Sequence, residues 1–132
     1  MEITYKDMHN FREKDLQDLF LSVEWSSGRY PEKLVIAMQN YETVFTAWDG
    51  DTLAGLICAM DDGIMTAYVH YLLVDPAYQH RGIGGKLVEM VKEKYRDYLR
   101  VLLVAYDDGV GFYDRLGFVK AEGKNTMQIV RL

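Results

Sequence analysis

The amino-acid sequence predicts one mixed α/β (α+β) domain over residues 1–132, and three observations support this prediction. Helical spacing and strict alternation of apolar residues take turns along the chain, which indicates helices interleaved with strands. A continuous apolar run at residues 101–105 is typical of a strand covered on both faces. A glycine-rich turn at residues 82–85 joins an apolar strand to an amphipathic helix. Together they favour the order β-α-α-β-β-β-α-β-α-β-β, a mixed sheet of roughly six to seven strands flanked by about four helices.

The N-terminal part predicts one strand followed by two helices. Residues 2–7 alternate in polarity, as a short strand does. Apolar residues from Leu16 to Val23 recur at helical spacing, so one face of the first helix is expected to be buried. Residues 25–31 interrupt this helix, and Pro31 suits the first turn of the second.

Three successive strands are predicted next, because tight turns separate three apolar stretches. The stretches are residues 43–48, 53–61 and 65–74. The turns between them are Asp-Gly-Asp at 49–51 and Asp-Asp-Gly at 61–63. Turns this short join antiparallel strands.

The C-terminal part predicts a helix, a strand, a second helix and two closing strands. The helix that follows the glycine turn carries apolar side chains mainly on one side. The run at 101–105 is expected to be a central strand. A helix over residues 110–116 ends at Gly117, which suits a helix C-terminus. Closing strands are predicted near residues 118–121 and 126–130.

Composition and charge limit the class of protein. Hydrophobic residues make up 49% of the chain and charged residues 27%, as in a soluble globular domain. The net charge of −5 argues against broad nucleic-acid binding, because no positive field is present to attract phosphates. The single cysteine, Cys58, lies in an apolar run, so neither a disulfide framework nor a metal cluster is expected. No membrane span or signal-peptide pattern is recognised, and a cytoplasmic location is expected by default.

The segment from Gln79 to Lys86 is built to hold a phosphate. Glycines at 82, 84 and 85 allow close approach of the main chain, and the following helix start offers unpaired N–H groups and a positive dipole end. A P-loop is excluded because Leu87 stands where the Ser or Thr should be. The dinucleotide fingerprint also fails, because its third glycine would fall at Leu87 as well.

What remains, Gln79-x-x-Gly82-x-Gly84 after a strand, resembles the acetyl-CoA pyrophosphate loop of the GNAT acetyltransferase superfamily. Residues 112–118, Phe-Tyr-Asp-Arg-Leu-Gly-Phe, match the second signature of this family, Phe-Tyr-x-x-x-Gly-Phe. The resemblance covers nearly the whole chain, and the predicted order of elements is the one that the GNAT fold shows. Within residues 24–34 the chain is similar to small bacterial members and to the plant branch that includes chloroplast serotonin and lysine acetyltransferases.

The resemblance implies that acetyl-CoA, the acetyl donor, lies where the fourth and fifth strands separate. Its pantetheine amides would pair with the fourth strand, and its pyrophosphate would bind the backbone of the glycine loop. No metal is implied. Arg81 would add a charge-assisted phosphate contact, or it is simply a solvated loop cation. The residues that the resemblance assigns to acetyl-CoA are Leu72, Leu73, Val74, Gln79, His80, Arg81, Gly82, Ile83, Gly84, Gly85, Lys86 and Phe112.

Two residues are candidates for proton transfer. Tyr113 matches the tyrosine with which many relatives protonate the departing CoA thiolate, and the alternative is a packing role beside Phe112. His70 is the first choice for the general base, acting directly or through water, because its ordinary pKa is near neutrality. Some relatives carry a glutamate two residues earlier, where this chain has Tyr68. A structural role for His70 is the alternative.

The acceptor amine is the least defined part of the prediction. The resemblance assigns the acceptor site to Trp25, Arg29, Tyr30 and Tyr71. Tyr71 is expected to project from the opposite strand face to His70. Asp61 and Asp62 would favour a cationic amine such as a polyamine, an arylalkylamine or a lysine side chain, or they only form a turn. Many relatives have a cofactor-binding asparagine where this chain has Tyr106, so a contact of Tyr106 with acetyl-CoA is left open.

The sequence therefore predicts an acetyl-CoA-dependent N-acetyltransferase that acts on a primary amine by direct attack in a ternary complex. The alternatives are a non-catalytic acyl-CoA-binding module of the same fold, which would be a sensor or interaction protein, and a nucleotide-binding α/β domain. Relatives often dimerise through their C-terminal strands. Met127, Ile129 and Val130 would serve a homodimer in this way, or they cover a strand edge within one chain.

Overall fold

The computed structural model describes residues 2–132. Its helices are α1 (Glu13–Ser22), α2 (Pro31–Asn40), α3 (Ile83–Lys94) and α4 (Val110–Arg115). Its strands are β1 (Thr4–Asp7), β2 (Thr43–Asp49), β3 (Thr52–Asp61), β4 (Thr66–Val74) and β5 (Arg100–Leu103). Short 3-10 turns lie at Ser26–Arg29, Pro76–Tyr78 and Asp107–Gly109. The predicted order of elements is confirmed from the first strand through the last helix.

The five strands form one sheet in the order β1-β2-β3-β4-β5. β1 to β4 pair antiparallel, which confirms the strand directions predicted from the two tight turns. β5 pairs with β4 in parallel, and α3 provides the crossover connection that parallel strands need. β1 and β5 are therefore the edges of the sheet.

Helices cover both faces of the sheet and enclose two apolar clusters. On one face α1 and α2 bury Leu16, Phe20 and Met38 against the sheet. On the other face α3 buries Leu87 and Val91. Alternation along β3 assigns successive residues to opposite clusters, so that the strand is buried on both sides. Full burial of one such side chain contributes about 1.5–3 kcal/mol to stability.

The prediction for the C-terminal part was wrong in two respects. The closing strands at 118–121 and 126–130 are not formed, and residues 119–132 are exposed outside any helix or strand, so the sheet has five strands rather than six or seven. The apolar run at 101–105 is an edge strand, not a central one. Because no strand covers its outer side within residues 2–132, the side chains of β5 alternate between exposed and half-buried.

β4 contains a bulge that changes which way its side chains point. The pairing with β3 passes from Ala59–Val69 to Cys58–Tyr71, so His70 has no partner on β3. One extra residue in a strand breaks the alternation of side chains. Val69 accordingly packs with the cluster under α3, whereas Tyr71 packs with the cluster under α1 and α2.

Candidate active site

β4 and β5 separate halfway along β4. Their parallel pairing ends at Val69 and Leu103, and no strand of the described chain pairs with residues 71–74 on that side. An unpaired strand edge presents main-chain N–H and C=O groups to any extended ligand beside it. This opening is the gap that the sequence predicted between the fourth and fifth strands.

The glycine loop beside this gap leaves the first amides of α3 without acceptors. Gly82 is the N-cap residue in the left-handed region, with φ of 81°, a conformation that glycine adopts at little cost. The first backbone hydrogen bond of the helix runs from the Lys86 N–H to the Gly82 carbonyl. The N–H groups of Ile83, Gly84 and Gly85 donate to no residue in 2–132. A helix start of this kind binds anions well.

Gly84 and Gly85 have different surroundings. A Cβ atom added at Gly85 would meet nothing within 4 Å. A Cβ atom added at Gly84 would lie 3.3 Å from the Phe112 ring, so this glycine allows α4 to pack closely against the loop. The two glycines therefore have different uses, one towards free space and one towards α4.

A cavity of about 410 Å³ joins the strand gap to the glycine loop. It is lined by Leu72, Leu73, Val74, Tyr78, Gln79, His80, Gly82, Ile83, Gly84, Gly85, Phe112 and Tyr113. Ten of the residues that the sequence assigned to acetyl-CoA are thus brought together around one space. Two are not among its lining residues: Arg81 lies over the Tyr78 ring at 6.0 Å, and the Lys86 ammonium lies 5.9 Å from the Tyr5 ring.

Tyr78 is a lining residue that sequence reasoning missed. Its hydroxyl donates to the Asp49 carboxylate at the end of β2, at 2.7 Å. The Gln79 amide donates to the Val74 carbonyl at 2.9 Å, and His80 takes a positive φ of 65°. These contacts fix the backbone just before the glycines. An aromatic residue between a strand and a glycine turn was the only signal, and nothing local pointed to Asp49.

Tyr113 projects from α4 and lines the cavity. Its ring packs edge-on against Phe112, with centroids 5.1 Å apart, and against Phe118, at 5.7 Å. Its hydroxyl has no hydrogen-bond partner in the described part of the chain. Burial raises the pKa of Tyr113 above 10.0, so the phenol is protonated at neutral pH. The hydroxyl can therefore donate to a group placed in the cavity.

His70 lies at the bulge of β4 among aromatic side chains. It does not line the cavity. Its ring stacks on Tyr71 at 4.1 Å, and its Nδ1 lies 2.5 Å from the Tyr41 hydroxyl. The residue is exposed at its outer side, but this packing partly buries the ring and lowers its pKa below 6.5. The imidazole is therefore neutral at pH 7, as a proton acceptor must be.

The acceptor residues predicted from the sequence are only partly brought together. Trp25 lies 5.9 Å from Tyr71 between ring centroids and 6.3 Å from Tyr106. Tyr71 is not on the opposite side from His70, because the bulge rotates the strand and the two rings stack. Arg29 is exposed, and Tyr30 lies under the Lys33 ammonium at 5.4 Å, outside this aromatic group.

Asp61 and Asp62 are engaged in local structure. Asp61 accepts hydrogen bonds from the hydroxyls of Tyr95 and Tyr98, at 2.7 and 3.3 Å. Asp62 accepts from the backbone amides of residues 64–66, which lower its pKa. Asp61 also accepts from the Gly63 N–H at 2.8 Å, so both carboxylates act in the turn, and Asp61 in addition binds the two tyrosines.

A second cleft, of about 480 Å³, lies between β1, the start of α1 and the turn after β2. Two of its charged groups pair with each other: the Arg12 guanidinium binds the Asp15 carboxylate through two hydrogen bonds of 3.0 Å. The first amides of α1 beside it are also uncapped, but Glu13 and Asp15 place negative charge at this helix start, where α3 has glycines and no acidic residue. The smaller cavity at the glycine loop is therefore the better candidate for binding an anion. In residues 2–132 no group of three or more His, Cys, Asp or Glu side chains is arranged to hold a metal, and no helix has the length and hydropathy to cross a membrane.

Comparison with protein families decides what this arrangement belongs to. Residues 6–118 match the model of the Acetyltransferase (GNAT) family. The chain belongs to the GNAT family. The match includes the glycine loop, the separated strands and the helix that carries Tyr113.

Individual GNAT proteins are similar over most of the chain. A GNAT family acetyltransferase from Streptococcus pneumoniae has a TM-score of 0.84 and 29% identity, covering 99% of this chain and 100% of that one. The uncharacterized N-acetyltransferase ycf52 of Pyropia yezoensis is 26% identical over 90% of this chain and 74% of its own length. The chloroplastic GCN5-related N-acetyltransferase 2 of Arabidopsis thaliana is 32% identical over 79% of this chain, which spans 48% of that plant protein.

Membership of the GNAT family confirms the resemblance read from the two signatures, including the similarity to a plant chloroplast protein. GNAT acetyltransferases use acetyl-CoA, and the glycine-loop cavity has the features that an extended thioester with a diphosphate needs: an unpaired strand edge, free amides and an open glycine.

Proposed function

We propose that residues 1–132 form a single N-acetyltransferase domain that transfers the acetyl group of acetyl-CoA to a primary amine. The observation that carries the proposal is the row of free amides at Ile83, Gly84 and Gly85, which line one cavity with Tyr113. The amides would hold the diphosphate. The unpaired edge at residues 71–74 would hold the pantetheine arm.

The proposed reaction is direct attack within a ternary complex. The neutral amine nitrogen attacks the thioester carbonyl carbon, so that a C–N bond forms and, after a tetrahedral intermediate, the C–S bond breaks. The nitrogen loses one proton, and the CoA sulfur gains one. Main-chain N–H groups along the unpaired edge of β4 would stabilise the negative charge that develops on the carbonyl oxygen.

Two residues are proposed to move these protons. The Tyr113 hydroxyl, which has no protein partner and lines the cavity, would protonate the departing sulfur and regain its proton from solvent. His70 would take the amine proton, directly or through a water, because its ring is neutral at pH 7 and its Nε2 has no partner in residues 2–132.

The pH profile tests the role of His70. The imidazole accepts a proton only in its neutral form, and burial lowers its pKa below 6.5. We therefore expect kcat/KM to fall with the fraction of neutral amine as pH falls to 6.5, and to fall more steeply only below 6.5, where His70 becomes protonated. His70→Gln should remove this step from the profile, and His9→Gln is the matched control. An acidic step that is unchanged in His70→Gln would contradict the assignment.

The experiment that tests the proposed function is release of free CoA thiol from acetyl-CoA in the presence of polyamines, arylalkylamines, amino acids and lysine peptides. Thiol release that requires both protein and amine supports the enzyme. Tight binding of acetyl-CoA without release by any amine would favour the non-catalytic acyl-CoA-binding module instead. Stabilisation by ATP or NAD, with no response to acetyl-CoA in a melting assay, would contradict both.

A homodimer is the second part of the proposal, and the exposed C-terminal segment supports it. Met127 and Ile129 are 90% and 79% exposed, and β5 has an open edge with Leu102 and Val104 also exposed. Residues 118–132 carry three basic side chains and one acidic one, which leaves a net charge of −7 on residues 1–117. In the proposed dimer the basic segment of one copy adds a strand to the β5 edge of the other.

Sedimentation velocity checks the dimer. The wild-type chain is expected to be dimeric at micromolar concentration, and Met127→Lys with Ile129→Lys is expected to be monomeric, because two charges replace the apolar face of the added strand. Both positions are exposed, so the variant should fold. Ile36→Lys, at an exposed position of α2, is the control. A wild-type monomer at every concentration would refute this part of the proposal.

A further inference from the structure

Three aromatic rings lie together next to the cavity. Trp25, Tyr71 and Tyr106, here called the aromatic wall, have ring centroids 5.9 Å apart (Trp25 to Tyr71) and 6.3 Å apart (Trp25 to Tyr106). The Tyr71 hydroxyl is fixed by Ser27 at 2.9 Å, and the Phe20 ring supports Tyr71 edge-on at 5.0 Å. Tyr106 is 70% exposed. Trp25 and Tyr71 are half-buried against the core, and the wall is open to solvent at Tyr106.

The aromatic wall adjoins the place where acetyl transfer is proposed. Tyr71 directly precedes Leu72, which is the first residue of β4 to line the cavity. His70, on the other side of Tyr71, stacks on its ring. A molecule lying along the wall could thus reach the end of the cavity while its remainder stays over the rings.

The wall differs from the other cation-accessible rings of the protein. Elsewhere six rings lie within about 6 Å of a lysine or arginine of the chain itself: those of Tyr5, Tyr30, Phe45, Trp48, Tyr78 and Tyr95. Among residues 2–132, no lysine or arginine is described over Trp25, Tyr71 or Tyr106. His70 covers one face of the Tyr71 ring, so Trp25 and Tyr106 are the wall rings whose negative faces attract a cation. This position is left for a cation that the protein does not supply.

The charged residues next to Trp25 and Tyr106 in the chain are all acidic. Glu24 precedes Trp25, and Asp107 and Asp108 follow Tyr106. All three are exposed, and within the described residues none forms an ion pair. Glu24 also takes a positive φ of 60°, which is uncommon for a residue with a side chain. Carboxylates beside open aromatic faces favour a positive ligand and disfavour a negative one.

We infer that the acceptor is an aliphatic diamine that is doubly protonated in solution: its first ammonium loses one proton to solvent and is then acetylated as the neutral amine, while its second positive charge lies over the aromatic wall. This inference rests on the proposed acetyltransferase function and names the class of its acceptor. Trp25 and Tyr106 are then residues that determine specificity. A monoamine of the same length makes every contact except the one between its far end and the wall.

Matched substrates test the inference. The probes are 1,5-diaminopentane and 5-aminopentan-1-ol, which have the same chain length and differ in the charge at the far end. We expect kcat/KM to be at least about tenfold higher for the diamine, well above the twofold that its two equivalent amino groups provide. Tyr106→Leu should reduce this ratio towards two, and Tyr106→Phe, which keeps the aromatic face, should preserve it. Tyr106 is exposed, so both variants should fold.

The outcomes separate this inference from the proposed function. Equal kcat/KM for the two probes would overturn the dication while leaving an acetyltransferase. A preference for 2-phenylethylamine over the diamine would also overturn it, because the wall would then bind a ring and not a charge. Absence of thiol release with every amine, despite bound acetyl-CoA, would remove both. A tenfold preference that survives Tyr106→Leu and Trp25→Leu would exclude the wall as its source.

Discussion

Gly85→Glu is expected to weaken acetyl-CoA binding by about 100-fold or more and to leave the fold as stable as before, or more stable. A Cβ atom at residue 85 would meet nothing within 4 Å beyond its own helix backbone, so it causes no clash. In a GNAT protein this open space is where the diphosphate is proposed to lie. The added carboxylate would occupy the amides itself and repel the phosphates. Calorimetric titration with acetyl-CoA and a thermal melt measure the two effects.

The expected stability of Gly85→Glu distinguishes loss of the binding site from unfolding of the protein. An acidic residue in the first turn of a helix is stabilising by about 0.3–1 kcal/mol, and replacing glycine within a helix adds up to about 1 kcal/mol. Gly85→Ala, which adds only the Cβ atom, should lose much less affinity. Gln39→Glu adds the same charge to the exposed end of α2 and should bind acetyl-CoA as the wild type does. Unchanged affinity in Gly85→Glu would exclude the proposed diphosphate site.

Tyr113→Phe is expected to lower kcat by about 10²-fold or more with little change in acetyl-CoA affinity, because general acid catalysis contributes about 10²–10⁴-fold. The variant keeps the ring that packs against Phe112 and Phe118 and removes only a hydroxyl without a protein partner. Neither stability nor the shape of the cavity should change. Thiol release at saturating acetyl-CoA and amine measures kcat, and calorimetry measures binding.

A matched control guards this result against an indirect effect. Tyr5→Phe removes another phenol hydroxyl that has no hydrogen-bond partner in residues 2–132, outside the cavity lining, and should leave kcat as in the wild type. A Tyr113→Phe enzyme with full kcat would assign the ring to packing alone. Loss of acetyl-CoA binding in this variant would instead show that the hydroxyl contacts the bound donor.

Short-range sequence signals predicted most of the fold correctly. Tight turns at 49–51 and 61–63 determine the directions of β2, β3 and β4, since chains so short cannot cross over. Pro31 marked the start of α2 correctly, because its ring fixes the φ angle that the first turn of a helix needs. These features act within a few residues and can be read without knowing the partners.

The C-terminal part shows where such reading fails. Residues 126–130 have the composition of a strand, yet they pair with no strand in residues 2–132, although the outer edge of β5 is open. Likewise, the continuous apolar run at 101–105 predicted a covered strand, but β5 has only β4 as a neighbour in residues 2–132. Periodicity reports which residues can be buried, and the available neighbours decide whether they are.

The prediction of the site was based on short sequence motifs. It therefore missed contacts between residues that are far apart in the chain. The glycine loop and β4 contributed nine of the ten predicted lining residues because they lie close together in the chain, and Phe112 of α4 is the tenth. Tyr78 was missed because its partner, Asp49, comes from another strand. The stacking of His70 on Tyr71 was missed because a bulge, which depends on the pairing of Cys58 and Ala59, reverses the expected alternation.

Backbone NMR during titration with acetyl-CoA tests the central claim most directly. The claim is that the free amides of Ile83, Gly84 and Gly85 accept the diphosphate of the donor. We expect the ¹⁵N–¹H signals of these three residues to move downfield and saturate, with smaller shifts at residues 71–74, because a new charge-assisted hydrogen bond deshields the amide proton. Shifts confined to other parts of the protein, or no shift at millimolar acetyl-CoA, would contradict the account.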